Sequence, residues 1–124
     1  MMTESQVKNC LTAWGKAVES KEIETVLSMY HEEGSLHPTL DNTLRVGRET
    51  IRGYFENFLP KIKGAVTWEF ETASFVCSPV LSSCSGFYTF QLEQGSVRAR
   101  FSYTVEENNG KTLIRHHHSS LIPG

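Results

Sequence analysis

Residues 96–122 read SVRARFSYTVEENNGKTLIRHHHSSLI, and this stretch decides the fold. Val97, Ala99, Phe101, Tyr103 and Val105 fall on one parity; Arg98, Arg100, Ser102 and Thr104 fall on the other. Successive side chains of a strand point to opposite faces, so this is a strand with one apolar and one polar face. ENNG then supplies the Asn/Gly chemistry of a tight turn. The chain returns through KTLIRHHHSSLI as an antiparallel partner. The same period extends upstream to SSCSGFYTFQL, joined through EQGS, and to VTWEFETASFV, where Val66, Trp68 and Phe70 alternate with Thr67, Glu69 and Glu71. Four long antiparallel strands are expected from Val66 onward.

The first half of the chain has helical periods. TESQ is a capping box, with Thr3 as N-cap and Gln6 at the third helical position. Val7, Leu11, Trp14 and Val18 follow at helical spacing. Ser20 is expected to cap a second, shorter helix carrying Ile23, Val26, Leu27 and Tyr30, with Gly34 stopping it. SLHPTLDNTLRVG is too rich in Pro, Asn, Asp and Gly for a helix and reads as a short hairpin turning near Asp41 and Asn42. After Gly47 a third helix presents Ile51, Tyr54, Phe55, Phe58, Leu59 and Ile62 on one wide face. Helices segregated from a run of strands make an α+β domain. A curved antiparallel sheet that buries its apolar face against the third helix leaves a conical cavity at its open end.

The chain of 124 residues suits one domain, 1–124, and its 39% apolar content is enough for a core. A net charge of −2 with interspersed signs argues against a nucleic-acid partner. The apolar runs are too short to span a membrane, and MMTESQVKNC does not read as a secretory leader. Cys10, Cys77 and Cys84 are odd in number and loosely spaced, which predicts reduced thiols and a cytoplasmic setting. Apolar residues of the sheet exceed what one small core covers, so a homodimer through the sheet is expected.

HHHSS (116–120) admits three readings. His116 and His118 share a face and can chelate one ion, zinc or manganese, with His37 or His31 as a third ligand; three His and a water is the arrangement that lowers the pKa of bound water. On the other parity, His117 and Ser119 point into the cavity together and no metal is needed. Or the run is an ordinary strand, satisfied by the core on one side and facing solvent or an interface on the other. An acid–base enzyme of another type would need an Asp/His pair, and His37 with Asp41 is the only near pair. Tyr88 and Tyr103 are further candidates for the cavity wall.

Three segments taken together, LHPTLDNTLRVGRETIRGYFENFLP, SGFYTFQL with ARFSYTV, and LIRHHHSSLIP, resemble the nuclear transport factor 2-like superfamily, in the branch of the calcium/calmodulin-dependent protein kinase II association domain. HHHSS close to a C-terminal Pro is similar to the iota-class carbonic anhydrases. The resemblance implies a curved sheet wrapped around helices and interconversion of carbon dioxide and bicarbonate without a metal or other cofactor. It places Thr39, Tyr54, His117 and Ser119 in the site, with Thr39, Tyr54 and Ser119 on the substrate. Arg100 joins the substrate-binding set, because related association domains use cavity arginines. Phe55, Phe87 and Phe101 would form the apolar slot for carbon dioxide, and the imidazole of His117 would relay the proton. The competing implication is a non-catalytic association module whose cavity holds a small carboxylate.

Overall fold

The computed structural model describes residues 2–124. The capping box forms: the Gln6 amide N–H donates to the Thr3 hydroxyl at 3.2 Å, and the Thr3 N–H donates to the Gln6 side-chain oxygen at 2.8 Å. It starts α1 (Glu4–Ser20), which buries Val7, Leu11, Trp14 and Val18. Ser20 closes this helix instead of capping the next, donating to the Ala17 carbonyl at 3.0 Å, and Lys21 turns the chain in the left-handed region. The second helix, α2 (Ile23–Ser28), has Glu22 before it and ends well short of Gly34. Tyr30 opens strand β1 (Tyr30–His37), and Gly34 lies inside that strand. The hairpin closes with β2 (Arg45–Val46), and α3 (Arg48–Phe58) follows and buries Ile51, Phe55 and Phe58. A 3-10 turn at Leu59–Lys61 carries the chain out of that helix, leaving Ile62 in an isolated bridge to Leu92.

The sheet runs β2-β1-β7-β6-β5-β3, with β4 also on β5; its strands from Thr67 onward are β3 (Thr67–Trp68), β4 (Ser74–Val76), β5 (Leu81–Leu92), β6 (Gly95–Asn108) and β7 (Lys111–Leu121). Three long antiparallel strands form, not four. The segment expected to be the first is broken by a 3-10 turn at Phe70–Thr72, and its halves pair with β5 on either side of Gly86. A Cβ on Gly86 would lie 3.1 Å from that of Ala73, so the missing side chain is what lets the detour pack closely. The sheet also departs from pure antiparallel order, because β1 lies parallel to β7. That connection uses α3 and the β-meander as its long crossover, which a parallel pair requires.

Both α1 and α3 lie on the sheet face that carries Ala99, Phe101, Tyr103 and Val105, all buried. Trp14 is the hub: its ring meets Phe55, Trp68, Tyr88, Phe90 and Tyr103 at centroid separations of 5.9–6.4 Å. Each such side chain taken wholly out of water contributes roughly 1.5–3 kcal/mol. The apolar surplus expected of the sheet is smaller than the alternation implies: Val66 is buried, Trp68 packs on Trp14, Tyr88 and Phe101, and Phe70 stacks on Trp68. Exposed apolar residues sit at the margins, among them Leu44, Val46, Leu81, Leu121 and Ile122. No helix among the described residues is long and apolar enough to cross a membrane.

Gly34 sits where β1 shifts register against β7. A Cβ there would meet the Ile114 carbonyl oxygen at 2.9 Å and that of His31 at 3.0 Å, both backbone atoms. Gly34→Ala should destabilise the domain by about 1–3 kcal/mol, the usual cost of overpacking. A thermal melt within a degree of the wild type would show that β1 moves aside freely.

Candidate active site

Strand β7 is not regular. Val105 pairs with Ile114 and Thr104 with His116, so Arg115 is an extra residue, a β-bulge. The bulge reverses the parity of everything after it. Ile114 faces the core, yet so do His117 and Ser119, while His116, His118 and Ser120 face outward. Of the two parities open to HHHSS, the structure has the one with His117 and Ser119 inside.

The inward pair meets Thr39 and Tyr54. Thr39 follows β1 directly, and the parallel pairing of Leu36 with His117 and His37 with His118 delivers it beside Ser119. The two hydroxyls are hydrogen-bonded to each other. Tyr54 comes from α3, stacked on Phe58 at a centroid distance of 5.4 Å, and reaches the same cavity from the opposite wall. Thr39, Tyr54, His117 and Ser119, separated by up to 80 positions in sequence, thus line one space, together with Tyr88. Trp14, Phe55, Phe58 and Phe90 form its apolar side. The space is narrow, with the room that one water-sized molecule needs.

Burial sets the protonation of this site. His117 is pulled down to about 3 by desolvation, with the neighbouring His118 charge acting in the same direction. Both its ring nitrogens are occupied, Nδ1 by the Tyr30 hydroxyl at 2.9 Å and Nε2 by the Tyr88 hydroxyl at 3.0 Å. The ring also stacks on Tyr103, 4.0 Å away and 13° from parallel. A neutral imidazole with no free nitrogen does not collect a proton from the cavity, so the relay expected of His117 does not fit its surroundings. Burial likewise pushes the phenols of Tyr54 and Tyr88 well above their ordinary range, which keeps both as neutral donors. The hydroxyls of Ser119 and, to a lesser extent, Tyr103 lie near enough to Tyr88 to lower that phenol somewhat, and the Tyr103 hydroxyl makes no hydrogen bond of acceptable geometry.

Several expected members lie elsewhere. Because Phe101 points inward, Arg100 must point outward; its Nε donates to the Ser120 hydroxyl at 3.2 Å, on a cleft of the outer face with His118. Arg100 is therefore not part of the cavity. Phe87 shares that outer side, under the Arg98 guanidinium at 4.0 Å. Phe101 is buried against Trp68 and Tyr88 and does not line the cavity, so of the expected slot only Phe55 remains. Asp41 is paired with Arg45 at 2.8 Å, and its carboxyl is held low by the Thr43 backbone N–H and by Arg45, which leaves no His37–Asp41 dyad. His37 and His118 are neighbours at a ring separation of 5.4 Å, and with His116 they line an outer groove. His31 is drawn aside by Arg115 and Glu106. Among the described residues no group of three His, Cys, Asp or Glu is placed to hold a metal ion.

Sequence reasoning missed Tyr30, assigned to a helix, and Trp14, assigned only to the core. No spacing signal links them to His117, since their contact depends on where β1 starts.

The family model for the calcium/calmodulin dependent protein kinase II association domain matches residues 3–123. Among solved structures, the chain is similar to a candidate association domain of that kind from Xanthomonas campestris, at 32% identity and TM-score 0.83, covering 98% of this chain and 90% of that one. An NTF2-like protein of unknown function from Pseudomonas putida KT2440 shares 15% identity at TM-score 0.80, over 94% of this chain and 84% of that one. A cystatin-like-fold protein of unknown function from Nostoc punctiforme PCC 73102 shares 14% at TM-score 0.80, over 99% and 96%. The last two show the nuclear transport factor 2-like fold alone. No curated protein matches the sequence.

The depressed value of His117 has a stability consequence. Its folded value, about 3, lies below the ordinary 6.5, so between them the unfolded chain binds more protons. Stability is therefore flat above pH ~6.5 and falls as the pH drops from there towards 3. At pH 5 the loss is roughly 2 kcal/mol relative to pH 7. Urea unfolding at the two pH values should show it in the wild type and not in His117→Asn; equal pH dependence in both would refute it.

Proposed function

The chain belongs to the calcium/calmodulin-dependent protein kinase II association domain family, and within it we propose a carbonic anhydrase that interconverts carbon dioxide and bicarbonate without a metal or other cofactor. The observation that carries this reading is the convergence of the Thr39, Tyr54 and Ser119 hydroxyls on one narrow cavity with an aromatic wall and no charged side chain. Carbon dioxide is small, linear and neutral. The cavity as it stands has the room of one water-sized molecule, so carbon dioxide enters against Phe55, Phe58 and Phe90 as those walls give way. The attacking water is held by the Thr39–Ser119 pair, and the oxygen that gains charge as the C–O bond forms takes hydrogen bonds from Tyr54 and from whichever of Thr39 and Ser119 has a free proton. Donors fixed in a low-dielectric site act without reorganising when charge appears.

The water's proton leaves by the same hydroxyl pair. Thr39 and Ser119 line both the cavity and an outer groove bordered by the exposed rings of His37 and His118. Bicarbonate forms inside and the proton reaches solvent outside, which balances the hydration of carbon dioxide. His117 holds the polar end of the cavity in place. The free thiols of Cys10, Cys77 and Cys84 support a reducing, cytoplasmic setting.

Ser119→Ala, Thr39→Ala and Tyr54→Phe should each leave the circular dichroism spectrum intact and lower carbon dioxide hydration at least tenfold, since one lost oxyanion donor costs ~2.7–4 kcal/mol in favourable cases. Activity should persist in full in a chelator. Loss of activity on chelation, with His116→Ala and His118→Ala as the damaging pair, would move the chemistry to a metal on the outer face.

Membership of an association-domain family also supports self-assembly. We place a homodimer on the outer face of the sheet, where a polar centre of Arg100, His116 and His118 is flanked by exposed Leu44, Val46 and Leu121. Light scattering at micromolar concentration should give twice the 14.0 kDa chain mass; a monomeric mass would count against this interface.

A further inference from the structure

We infer that Trp14, Tyr30, His117 and Tyr88 form a one-directional hydrogen-bond chain that fixes His117 as its Nε2–H tautomer and makes the Tyr88 hydroxyl a further donor to the substrate oxyanion. The substrate part rests on the carbonic anhydrase reading; the direction of the chain does not. The chain begins at a group that can only donate. The Trp14 indole nitrogen lies 3.2 Å from the Tyr30 hydroxyl oxygen. That oxygen accepts, so its own proton has one polar neighbour left, His117 Nδ1, at 2.9 Å. Were Nδ1 protonated, Tyr30 would accept twice and its proton would have no acceptor in a fully buried place, an expensive arrangement. The same objection excludes a ring protonated on both nitrogens.

With Nδ1 accepting, the neutral ring carries its proton on Nε2, 3.0 Å from the Tyr88 oxygen. Tyr88 accepts that proton, and its own is turned away from the ring. Its remaining polar neighbours are the hydroxyls of Ser119 and Tyr103, both close enough to lower the Tyr88 phenol though neither is held in good hydrogen-bond geometry, and the Tyr88 hydroxyl stands on the cavity wall beside Ser119 and Tyr54. The direction set at Trp14 therefore arrives at the cavity wall as an O–H beside Ser119, which a substrate oxygen can take over. The stacked Tyr103 keeps the imidazole plane aligned with both partners. His117 is thus a positioning residue, and Tyr30 orients the donor from outside the cavity. A site built from O–H donors with an ordered supply behind one of them selects a small anion with several acceptor oxygens. A ligand that brings its own N–H protons would meet Tyr88 proton to proton.

The tautomer is read by long-range proton–nitrogen correlation on protein labelled with 15N-histidine, with the His117 signals assigned by their absence in His117→Asn. Near pH 7 the expected result is a protonated Nε2 and an unprotonated Nδ1. A proton on Nδ1, or on both, overturns the chain whatever the protein's activity. Binding is read with 13C-bicarbonate by line broadening. Tyr88→Phe should weaken it at least tenfold. Tyr30→Phe, which removes no cavity group, should let both tautomers populate and weaken bicarbonate as well. In the wild type, formate should displace bicarbonate and methylammonium should not; displacement by methylammonium, or unchanged binding in Tyr88→Phe, removes Tyr88 from the substrate. A wild type with the expected tautomer that binds no bicarbonate upholds the chain's direction and overturns the substrate assigned to the cavity.

Discussion

One inserted residue decides which histidine sees the cavity. Ile114 and His117 both face the core although their spacing has the wrong parity for a regular strand, because Arg115 bulges between the pairings of Ile114 and His116. Without it, an inward Ile114 would bring His116, His118 and Ser120 inside and turn Ser119 out. The bulge is held by backbone fit. Gly34 on β1 leaves the space that the Ile114 and Arg115 carbonyls occupy. The Arg115 side chain goes outward to Glu33 and Glu106 at 3.6 and 3.9 Å, and exposed pairs of that length add little stability. From this one irregularity follow the contacts of His117 with Tyr30 and Tyr88, the Ser119–Thr39 pair, and the confinement of His118 to the far side.

Burying a titratable ring at the centre of a small domain is costly unless every polar atom is matched. His117 meets that condition, with a hydroxyl at each nitrogen and an aromatic ring against its face. The match requires the neutral form, which is why desolvation dominates its protonation. Trp14 joins the two halves of the structure in the same contact: it is the hub of the core and also the fixed donor at the start of the polar network. Core and site are for that reason one assembly.

The fold class was legible because period-two alternation in residues 97–105 and the capping box at Thr3 are local signals, and both formed as read. Thr39, Tyr54, His117 and Ser119 meet in one cavity, but the route to that set ran through resemblance, since the residues themselves left the parity of HHHSS open. The bulge explains why: an extra residue whose space is made by Gly34, 81 positions upstream of Arg115, leaves no mark on the pattern of β7. Arg100 was misplaced for a related reason. The alternation of β6 puts it on the face opposite Phe101, so the cavity role of arginines in related association domains has no counterpart at this position. Tyr30 was hidden because its backbone is taken up by a parallel pairing with β7, which overrides the helical spacing of Ile23, Val26 and Leu27 that precedes it.

On the proposed reaction, the exclusion of Arg100 from the cavity has a kinetic sense. The substrate is neutral and the product is an anion, so a guanidinium inside would favour the product most of all and slow its release. Catalysis gains only from interactions that grow toward the transition state beyond what the bound states receive. Hydroxyl donors are suited to this. They strengthen as an oxygen acquires charge, lie within a dry pocket where a dipole acts at short range, and exert no long-range pull on bicarbonate once it reaches the rim. The alternation of β6 and β7 keeps the two kinds of chemistry apart by one side-chain step: Phe101, His117 and Ser119 inward, Arg100, His118 and Ser120 outward. Charge is thereby available for pairing between copies on the outer face, while the cavity behind it stays uncharged.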